Sequence, residues 1–301
     1  MTLAFLGIAI PFYRNISYLR TAIESVTEQS SSDWRLWVLD DSGGNEPEET
    51  VRQLIASFDD DRIRYHRNPE TVGMAANWNH CLDSADTEFI TLLHGDDRLL
   101  PNYLDAIQRV ARAHPQAVAV YCDTTIIGAS GETEFSLADR VKGFFSPRGS
   151  GEVVLTGQPA ATALMRGNFI MCPTLSFRRS LLGARRFDAG WEQVQDLDLT
   201  LRLLMDGETL VGAAEIAYAY RRHPESATWV QSQNRLRFDE EFRLFDQIAA
   251  RAEALGWSET ARVSRRKRIV KLHLAYRALR AFSRLQPRSA VDTLRYLLSR
   301  W

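Results

Sequence analysis

The sequence predicts an α/β protein with a doubly wound, mostly parallel sheet and a C-terminal helical extension. In the first half, short apolar runs alternate with segments whose apolar residues recur at helical spacing. The connections between them are short, which is typical of parallel strands with helices on both faces of the sheet. After residue 222 the pattern is helical alone. We therefore expect an α/β domain at residues 1–230 and a basic, amphipathic helical region at residues 231–301.

The elements of the first half follow from these two periods. Short apolar runs predict strands at residues 3–10, 34–39, 63–66, 88–93 and 117–123. Helical spacing predicts helices at residues 17–29, 47–58, 74–84 and 102–113. Pro11 is expected to end the first strand, because proline cannot donate to a central ladder. Ser17 is the expected N-cap of the first helix, since its hydroxyl can accept from a free backbone N–H.

The second half contains fewer clear elements. Residues 124–150 are rich in Gly, Ser and charged side chains, so we expect an extended loop or a small hairpin. A strand near residues 173–177, a helix at 197–205 and a strand at 210–220 are then expected to complete the sheet.

Composition is typical of a globular protein, with 45% hydrophobic and 25% charged residues in 301. The three cysteines contain no CxxC spacing, which favours small core residues in a reducing compartment. The apolar N-terminus lacks a basic segment and a cleavage site, so we interpret it as a strand and not a signal peptide. No run reaches the roughly 18 apolar residues of a spanning helix. We expect a cytoplasmic protein, either free or peripheral on the inner face of the membrane.

Charge is distributed unevenly along the chain. Residues 258–301 carry 12 Lys/Arg and 2 Asp/Glu, a balance of +10, which leaves 25 − 36 = −11 for residues 1–257. Helical spacing also places Ile269, Leu272, Tyr276 and Leu279 on one stripe among the arginines. A basic amphipathic helix of this kind can bind an anionic membrane surface. Alternatively, the stripe packs on the body or on a second copy, which would make a homo-oligomer.

Two pairs of aspartates follow predicted strands: Asp40 with Asp41, and Asp96 with Asp97. In open α/β sheets, ligands bind beyond the carboxyl ends of the strands. Neither GxGxxG nor GxxxxGK[ST] is present, which argues against dinucleotide and P-loop sites. Carboxylates in this position suit a divalent cation that bridges to a diphosphate. The first pair has an alternative interpretation, because aspartate often forms an Asx-turn in a loop.

Several segments resemble family-2 glycosyltransferases of the Rossmann-like GT-A fold. They are "GIAIPFYRN", "LWVLDDSG", "ETVGMAANWN", "LLHGDDRLLPNYL", "CPTLSFRRSLL", "FDAGWEQVQDLDLTLRLL" and "AYAYRRHPESAT". Their order and spacing match the family over roughly residues 3–230. The resemblance implies an inverting, metal-dependent transfer from a nucleotide-diphosphate sugar, with Mg²⁺ or Mn²⁺ as cofactor.

The resemblance also implies roles for individual residues. Asp40, with Asp41 beside it, would recognise the base of the nucleotide, and Pro11 and Tyr13 would lie along the same nucleotide. Asp96 would approach the ribose and Asp97 the metal. His223 matches a position that helps to hold the metal or the diphosphate in some members. Asp196 matches the catalytic base; from the residues alone, it is equally placed to cap the helix that follows.

Three positions depart from the family's pattern. Arg14 replaces the usual Asn, His94 the first Asp of the metal motif, and Gln195 the Glu before the base. Asp198 is expected to be structural, because it faces another side of the helix. Arg221 and Arg222 are expected either to clamp phosphate or to pair with surface acids.

The function that these features predict is a hexosyltransferase-type enzyme with a UDP-linked donor and a sugar or lipid-linked acceptor. Such an enzyme would serve cell-surface polysaccharide or glycolipid synthesis, and no nucleic-acid partner is expected. Two alternatives remain: a sugar nucleotidyltransferase, which usually carries a glycine-rich basic loop that is missing here, and a non-catalytic nucleotide-sugar sensor or scaffold.

Overall fold

The computed structural model describes residues 4–134, 151–226 and 235–299. The strands in these ranges form one mixed sheet. They are β1 (Leu6–Phe12), β2 (Trp34–Asp40), β3 (Ile63–Arg67), β4 (Phe89–Leu92), β5 (Arg98–Leu99), β6 (Ala117–Ile127), β7 (Val153–Thr156), β8 (Ser176–Arg178) and β9 (Thr209–Arg221). Their order is β3-β2-β1-β4-β8-β6-β9-β5, and β7 also pairs with β9.

Six of the described strands, β1 to β4 with β6 and β9, run in one direction. Strands β1 to β4 are mutually parallel, and β6 and β9 form a second parallel pair. The short strand β8 lies antiparallel between β4 and β6, so the two parallel groups point the same way. Strands β5 and β7 are antiparallel to β9. The predicted mostly parallel sheet is therefore confirmed.

Helices cover both faces of this sheet. In chain order they are α1 (Ile16–Thr27), α2 (Glu48–Ala56), α3 (Met74–Ser84), α4 (Tyr103–Ala113), α5 (Gly157–Arg166), α6 (Arg179–Leu182), α7 (Gln195–Met205), α8 (Leu236–Ala254), α9 (Ser258–Arg266), α10 (Arg268–Ser283) and α11 (Pro287–Leu298). Helices α1, α2 and α4 contribute to one buried apolar cluster. The opposite cluster contains residues of α3, α5 and α7 and also of α8 to α11, so the C-terminal helices share the core of the sheet domain.

Two predicted boundaries were wrong at the first strand and helix. Strand β1 continues through Pro11 to Phe12. This is possible because β4 pairs with β1 only as far as Ala9, so Pro11 has a neighbouring strand on one side alone. Helix α1 is capped by Asn15 and not by Ser17; the Asn15 Oδ1 accepts a hydrogen bond from the backbone N–H of Tyr18 at 3.1 Å.

The region expected to be a loop or hairpin has a strand at each side. Strand β6 extends to Ile127, which forms a bridge with Thr133, and residues 135–150 lie outside the described ranges. The sequence did not predict β7 and α5. The predicted domain boundary at 230/231 also lies outside the described residues and stays a prediction. In the part of the chain that is described, no helix is both long and apolar enough to cross a bilayer.

Candidate active site

The second aspartate pair lies in a tight turn directly after β4. The backbone N–H of Asp97 donates to the His94 carbonyl at 3.0 Å, which closes this turn. Gly95 within it packs against the end of β1, including Pro11. Asp97 is fully buried, whereas Asp96 is half-buried. The local fold therefore places both carboxylates at the carboxyl edge of the parallel strands, as the sequence predicted.

Asp97 is held by the end of β9. Its carboxylate accepts from the Tyr218 hydroxyl at 2.9 Å and from the backbone N–H of Arg221 at 2.7 Å. Burial and the neighbouring charge of Asp96 raise the pKa of Asp97 well above its usual range, although these two donors oppose the shift. A cation beside the carboxylate would favour its ionised form.

His223 lies beside Asp96. The His223 Nε2 is 2.8 Å from Asp96 Oδ2, and the His223 ring lies 5.0 Å from that of Tyr18. Burial alone would raise the pKa of Asp96, but the bond to His223 and the nearby His94 outweigh it, so this pKa is lowered. The structure thus brings His223 to the acidic turn, but its direct partner is Asp96 rather than Asp97.

His94 belongs to the same cluster, which the sequence analysis did not predict. One ligand atom from each of His94, Asp96 and Asp97 lies within 4.8 Å of the others. The His94 ring stacks on Trp78 at 5.2 Å, and its Nδ1 is 3.8 Å from Asp97 Oδ2, too far for a hydrogen bond. Burial lowers the pKa of His94 despite the opposing charge of Asp96, so the neutral imidazole is favoured. Among the described residues its buried Nε2 has no hydrogen-bond partner.

This donor set fits a divalent cation. A neutral imidazole nitrogen and two carboxylates are common ligands of divalent metals. His94 Nδ1 and Asp97 Oδ2 are 3.8 Å apart, so the two atoms form no hydrogen bond with each other and both remain possible ligand atoms. The sequence signal for this ligand is His94 itself. Because the family's motif has Asp at this position, His94 was interpreted only as the loss of a carboxylate.

The first aspartate pair lies at the end of β2 and is buried. Asp40 accepts from the Tyr65 hydroxyl at 2.6 Å and from the backbone N–H of Ser42 at 2.8 Å. The second bond is the Asx-turn that the alternative interpretation expected. Arg67 forms an ion pair with the same carboxylate at 3.3 Å. Asp40 is therefore held by protein groups on both of its oxygens.

Asp41 holds the loop that leads into α3. Its carboxylate accepts from the Asn68 side chain at 2.8 Å and from the backbone N–H groups of Val72 and Gly73 at 2.8 and 3.0 Å. Its own backbone N–H donates to Phe12 at the end of β1, so both acidic turns adjoin this strand. Tyr13 follows directly and is 48% exposed, so its ring is open to a ligand.

Asp196 lies in the first turn of α7, one residue inside its start. Helix α7 begins at Gln195 and its N-cap position is Val194, so the capping interpretation of Asp196 was wrong. Burial raises the pKa of the Cys172 thiol, and the negative charges of Asp196 and Asp97 raise it further. Both carboxylates are therefore within electrostatic range of this thiol.

The remaining predicted residues have structural contacts. Asp198 forms an ion pair with Arg202 at 2.8 Å, in agreement with its expected structural role. Arg221 is buried; its guanidinium donates to the Asp96 carbonyl at 2.6 Å and to the carbonyls of Gly128 and Ala129 at 3.1 Å. The acceptors of these bonds are backbone carbonyls and not the phosphate or surface acid that was predicted as the partner of Arg221. The bonds hold the acidic turn against the end of β6.

Sequence comparison identifies the family. The family described as glycosyl transferase family 2 matches residues 7–172, more than half of the chain. A stretch of 107 residues is 34% identical to the GalNAc(5)-diNAcBac-PP-undecaprenol beta-1,3-glucosyltransferase of Campylobacter jejuni subsp. jejuni serotype O:2, and it covers 35% of this chain and 34% of that enzyme. The match with each of the first three curated relatives spans between 23% and 34% of their length.

Solved structures share the fold over nearly the whole chain. S. aureus TarS in complex with UDP-GlcNAc matches with a TM-score of 0.65 and 13% identity, covering 98% of this chain and 81% of that one. The mannosyltransferase PcManGT from Pyrobaculum calidifontis, in complex with GDP-Man and Mn²⁺, matches with a TM-score of 0.59 and 14% identity, covering 97% and 86%. The predicted fold and family are thereby confirmed, and the chain belongs to glycosyl transferase family 2 with a GT-A-type α/β fold.

Proposed function

We propose that this protein is an inverting glycosyltransferase that moves a sugar from a UDP-linked donor to a hydroxyl of a sugar or lipid-linked acceptor. The observation that carries the proposal is the cluster of His94, Asp96 and Asp97 at the carboxyl edge of the sheet. Asp196, like Asp97, is within electrostatic range of the Cys172 thiol. Carboxylates for a cation and a separate carboxylate base are the two parts that such a transfer needs.

We assign donor binding to the ends of β1, β2 and β4. Tyr13 is exposed beside the buried turn of Asp40 and Asp41, and this surface would receive the nucleotide. Pro11 packs against the acidic turn and would lie along the same nucleotide. Asp96 would approach the ribose. The TarS complex, which contains UDP-GlcNAc, supports a UDP-linked donor.

We assign a divalent cation, Mg²⁺ or Mn²⁺, to Asp97 and His94, with His223 acting through Asp96. When bound, the cation would act as a Lewis acid that offsets charge on the leaving diphosphate. The buried turn would hold Asp97 in position through Tyr218 and the backbone of Arg221. The PcManGT complex, which contains Mn²⁺, supports the cation.

Asp196 would act as the general base. Its carboxylate would take the proton of the acceptor hydroxyl, whose oxygen attacks the anomeric carbon from the side opposite the diphosphate, inverting the configuration. The position in the first turn of α7 favours an ionised carboxylate, because the helix dipole stabilises negative charge there.

A panel of nucleotide sugars tests this function. Thermal unfolding with each donor and Mn²⁺ should identify one that raises Tm, because binding to the folded state stabilises it. That donor should then be hydrolysed slowly, or transferred when an acceptor is supplied. A donor that binds but is neither hydrolysed nor transferred would favour the sensor interpretation. Release of pyrophosphate from a nucleoside triphosphate and a sugar phosphate would favour a nucleotidyltransferase.

A further inference from the structure

Helix α10 has apolar side chains on two opposite faces. Val270, Leu274 and Ala278 are buried against the body. On the other side, Leu272 and Leu279 are 64% and 71% exposed, and Tyr276, which is 59% exposed, lies between them at helical spacing. A helix with apolar residues on both faces is normally covered on both. Among the described residues, only the inner face of α10 is covered.

The exposed stripe continues past the end of α10. Phe282 is 46% exposed, and Leu285 at the junction with α11 is 90% exposed. Leu285 has a φ of 57°, a left-handed conformation that is uncommon for a leucine and that presents its side chain at the tip of this junction. We refer to Leu272, Tyr276, Leu279, Phe282 and Leu285 together as the apolar face.

Unpaired arginines accompany the apolar face. Arg280, Arg284 and Arg288 are exposed, and none of them has an ion pair with a carboxylate in the described ranges. The preceding helix differs: Arg265 is paired with Glu253, and Lys267, at its C-cap, is paired with Asp246. Arginines without a described carboxylate partner therefore lie among the uncovered apolar side chains.

The last two helices attach beside the segment that leads to Asp196. Three consecutive residues of α8 make the connections. The Phe238 ring contacts His273 of α10 at 5.1 Å, and Asp239 accepts from the Tyr296 hydroxyl of α11 at 2.7 Å. Glu240 accepts backbone N–H bonds from Glu192 and Gln193, just before α7. The last two helices and the segment before Asp196 therefore contact the same turn of α8, on different sides of it, because consecutive helical residues project about 100° apart.

We propose that the apolar face docks on an anionic lipid bilayer, with its leucines and aromatic rings at the acyl boundary and its arginines among the headgroups. Amphipathic helices with Arg beside Leu and aromatic residues bind membranes in this way. A second copy is the less suitable partner: a two-fold interface would place this positively charged surface against its own copy, whereas anionic headgroups neutralise the arginines.

Co-sedimentation of the full chain with vesicles tests this proposal. Vesicles of phosphatidylglycerol mixed with phosphatidylcholine should bind the protein, whereas vesicles of phosphatidylcholine alone should bind it much less. The double variant Leu272→Asp/Leu279→Asp should lose binding. Arg280→Glu/Arg284→Glu should lower the partition coefficient by at least about 25-fold, since each basic residue near an anionic surface contributes about a fivefold factor.

Matched controls are available elsewhere on the surface. Leu255→Asp changes an exposed leucine at the end of α8, and Arg112→Glu an exposed arginine in the last turn of α4; both should bind vesicles like the unchanged protein. Equal binding by the face variants and the controls would overturn the proposal. So would a dimer in light scattering that Leu272→Asp/Leu279→Asp converts to a monomer, if the unchanged protein ignores anionic vesicles. No donor sugar is needed, so failure here would leave the proposed transfer reaction intact.

Discussion

At the residue scale, the buried acid Asp97 offers the sharpest test of the cation site. Because its pKa is raised, the charged form is costly without a cation. Asp97→Asn should keep its Tm in metal-free buffer, since the amide oxygen can accept from the Arg221 N–H while the Tyr218 hydroxyl turns to accept from the amide NH₂. An amide is a poor ligand, so the rise in Tm that Mn²⁺ and UDP produce together should disappear. Asp198→Asn, which alters another buried acid, should retain that rise. A persistent Mn²⁺-dependent shift in Asp97→Asn would remove Asp97 from the site.

Asp196 should be required for the chemical step alone. General bases typically contribute about 10²–10⁴-fold in rate. We expect Asp196→Asn to lose transfer by that order while the calorimetric Kd of UDP with Mn²⁺ stays unchanged. Asp198→Asn should retain a much higher transfer rate than Asp196→Asn, because the carboxylate of Asp198 is paired with Arg202. If Asp196→Asn transfers at near the original rate, the base is another residue, and Glu192 is the next candidate.

His94 should influence which metal is preferred. Imidazole favours transition metals, whereas an all-carboxylate set suits Mg²⁺. We expect His94→Asp to shift the ratio of UDP affinities in Mn²⁺ and Mg²⁺ toward Mg²⁺, as measured by calorimetry. In the electron paramagnetic resonance spectrum of bound Mn²⁺, the hyperfine coupling to the imidazole nitrogen should disappear in this variant. The variant His66→Asp, on β3 and outside the cluster, should change neither measurement.

The sequence predicted the position of Asp96 and Asp97 because a strand end fixes where the following residues go. It did not predict the role of His94, which depends on the stack with Trp78 and on the approach of Asp97. The contact with Trp78 is not encoded locally, because it joins the turn to helix α3, whereas Asp97 lies only three residues from His94. The buried guanidinium of Arg221 was unpredictable for the same reason, since its acceptors are carbonyls about 90 and 125 residues away in the chain.

At the element scale, long periodic segments were predicted well and short ones were not. Helix α3 has the predicted bounds, because its apolar positions are unambiguous. Strand β7 has four residues, too few to show a clear period. Helix α5 starts directly after it and buries Ala160, Ala161, Leu164 and Met165 at helical spacing, a signal that the sequence analysis missed. Strand β7 is recognisable only through its pairing with β9, which is a long-range contact.

Helix α8 contains a residue that we expect to position the segment leading to the proposed base, Asp196. Glu240 is buried and accepts from the backbone N–H of Glu192 at 3.0 Å and of Gln193 at 2.7 Å, four and three residues before Asp196. Glu240 Oε2 also accepts from the Glu192 N–H at 3.1 Å, so Glu240→Gln would lose one of three contacts together with the negative charge that strengthens the others. We expect the acceptor KM to rise severalfold while the Kd of the donor nucleotide stays unchanged.

A neighbouring acid provides the control for Glu240. Glu241 pairs with Arg237 on the same helix and makes no described bond to Glu192 or Gln193, so Glu241→Gln should leave both constants unchanged. If Glu240→Gln lowers Tm and changes donor and acceptor constants equally, its role is structural only.

At the scale of the whole molecule, the C-terminal helices complete the core of the sheet domain. Ala261, Val270, Leu274 and Leu297 belong to the same buried cluster as residues of α3, α5 and α7. The sequence suggested a separate helical region because its charge and period change there. It could not predict the shared cluster, since the partners of these side chains lie on distant elements.

This shared core predicts that the protein unfolds as one unit. Burying one large apolar side chain contributes about 1.5–3 kcal/mol. Removing residues 256–301 takes Val270, Leu274 and Leu297 out of the cluster, a loss of about 5–9 kcal/mol that is comparable to the whole stability of a domain. We expect a single calorimetric transition for the full chain and a much lower Tm, or insoluble protein, for a chain that ends at Leu255. A truncated chain with the original Tm, or two separate transitions in the full chain, would instead mean that the helical region is an independent domain.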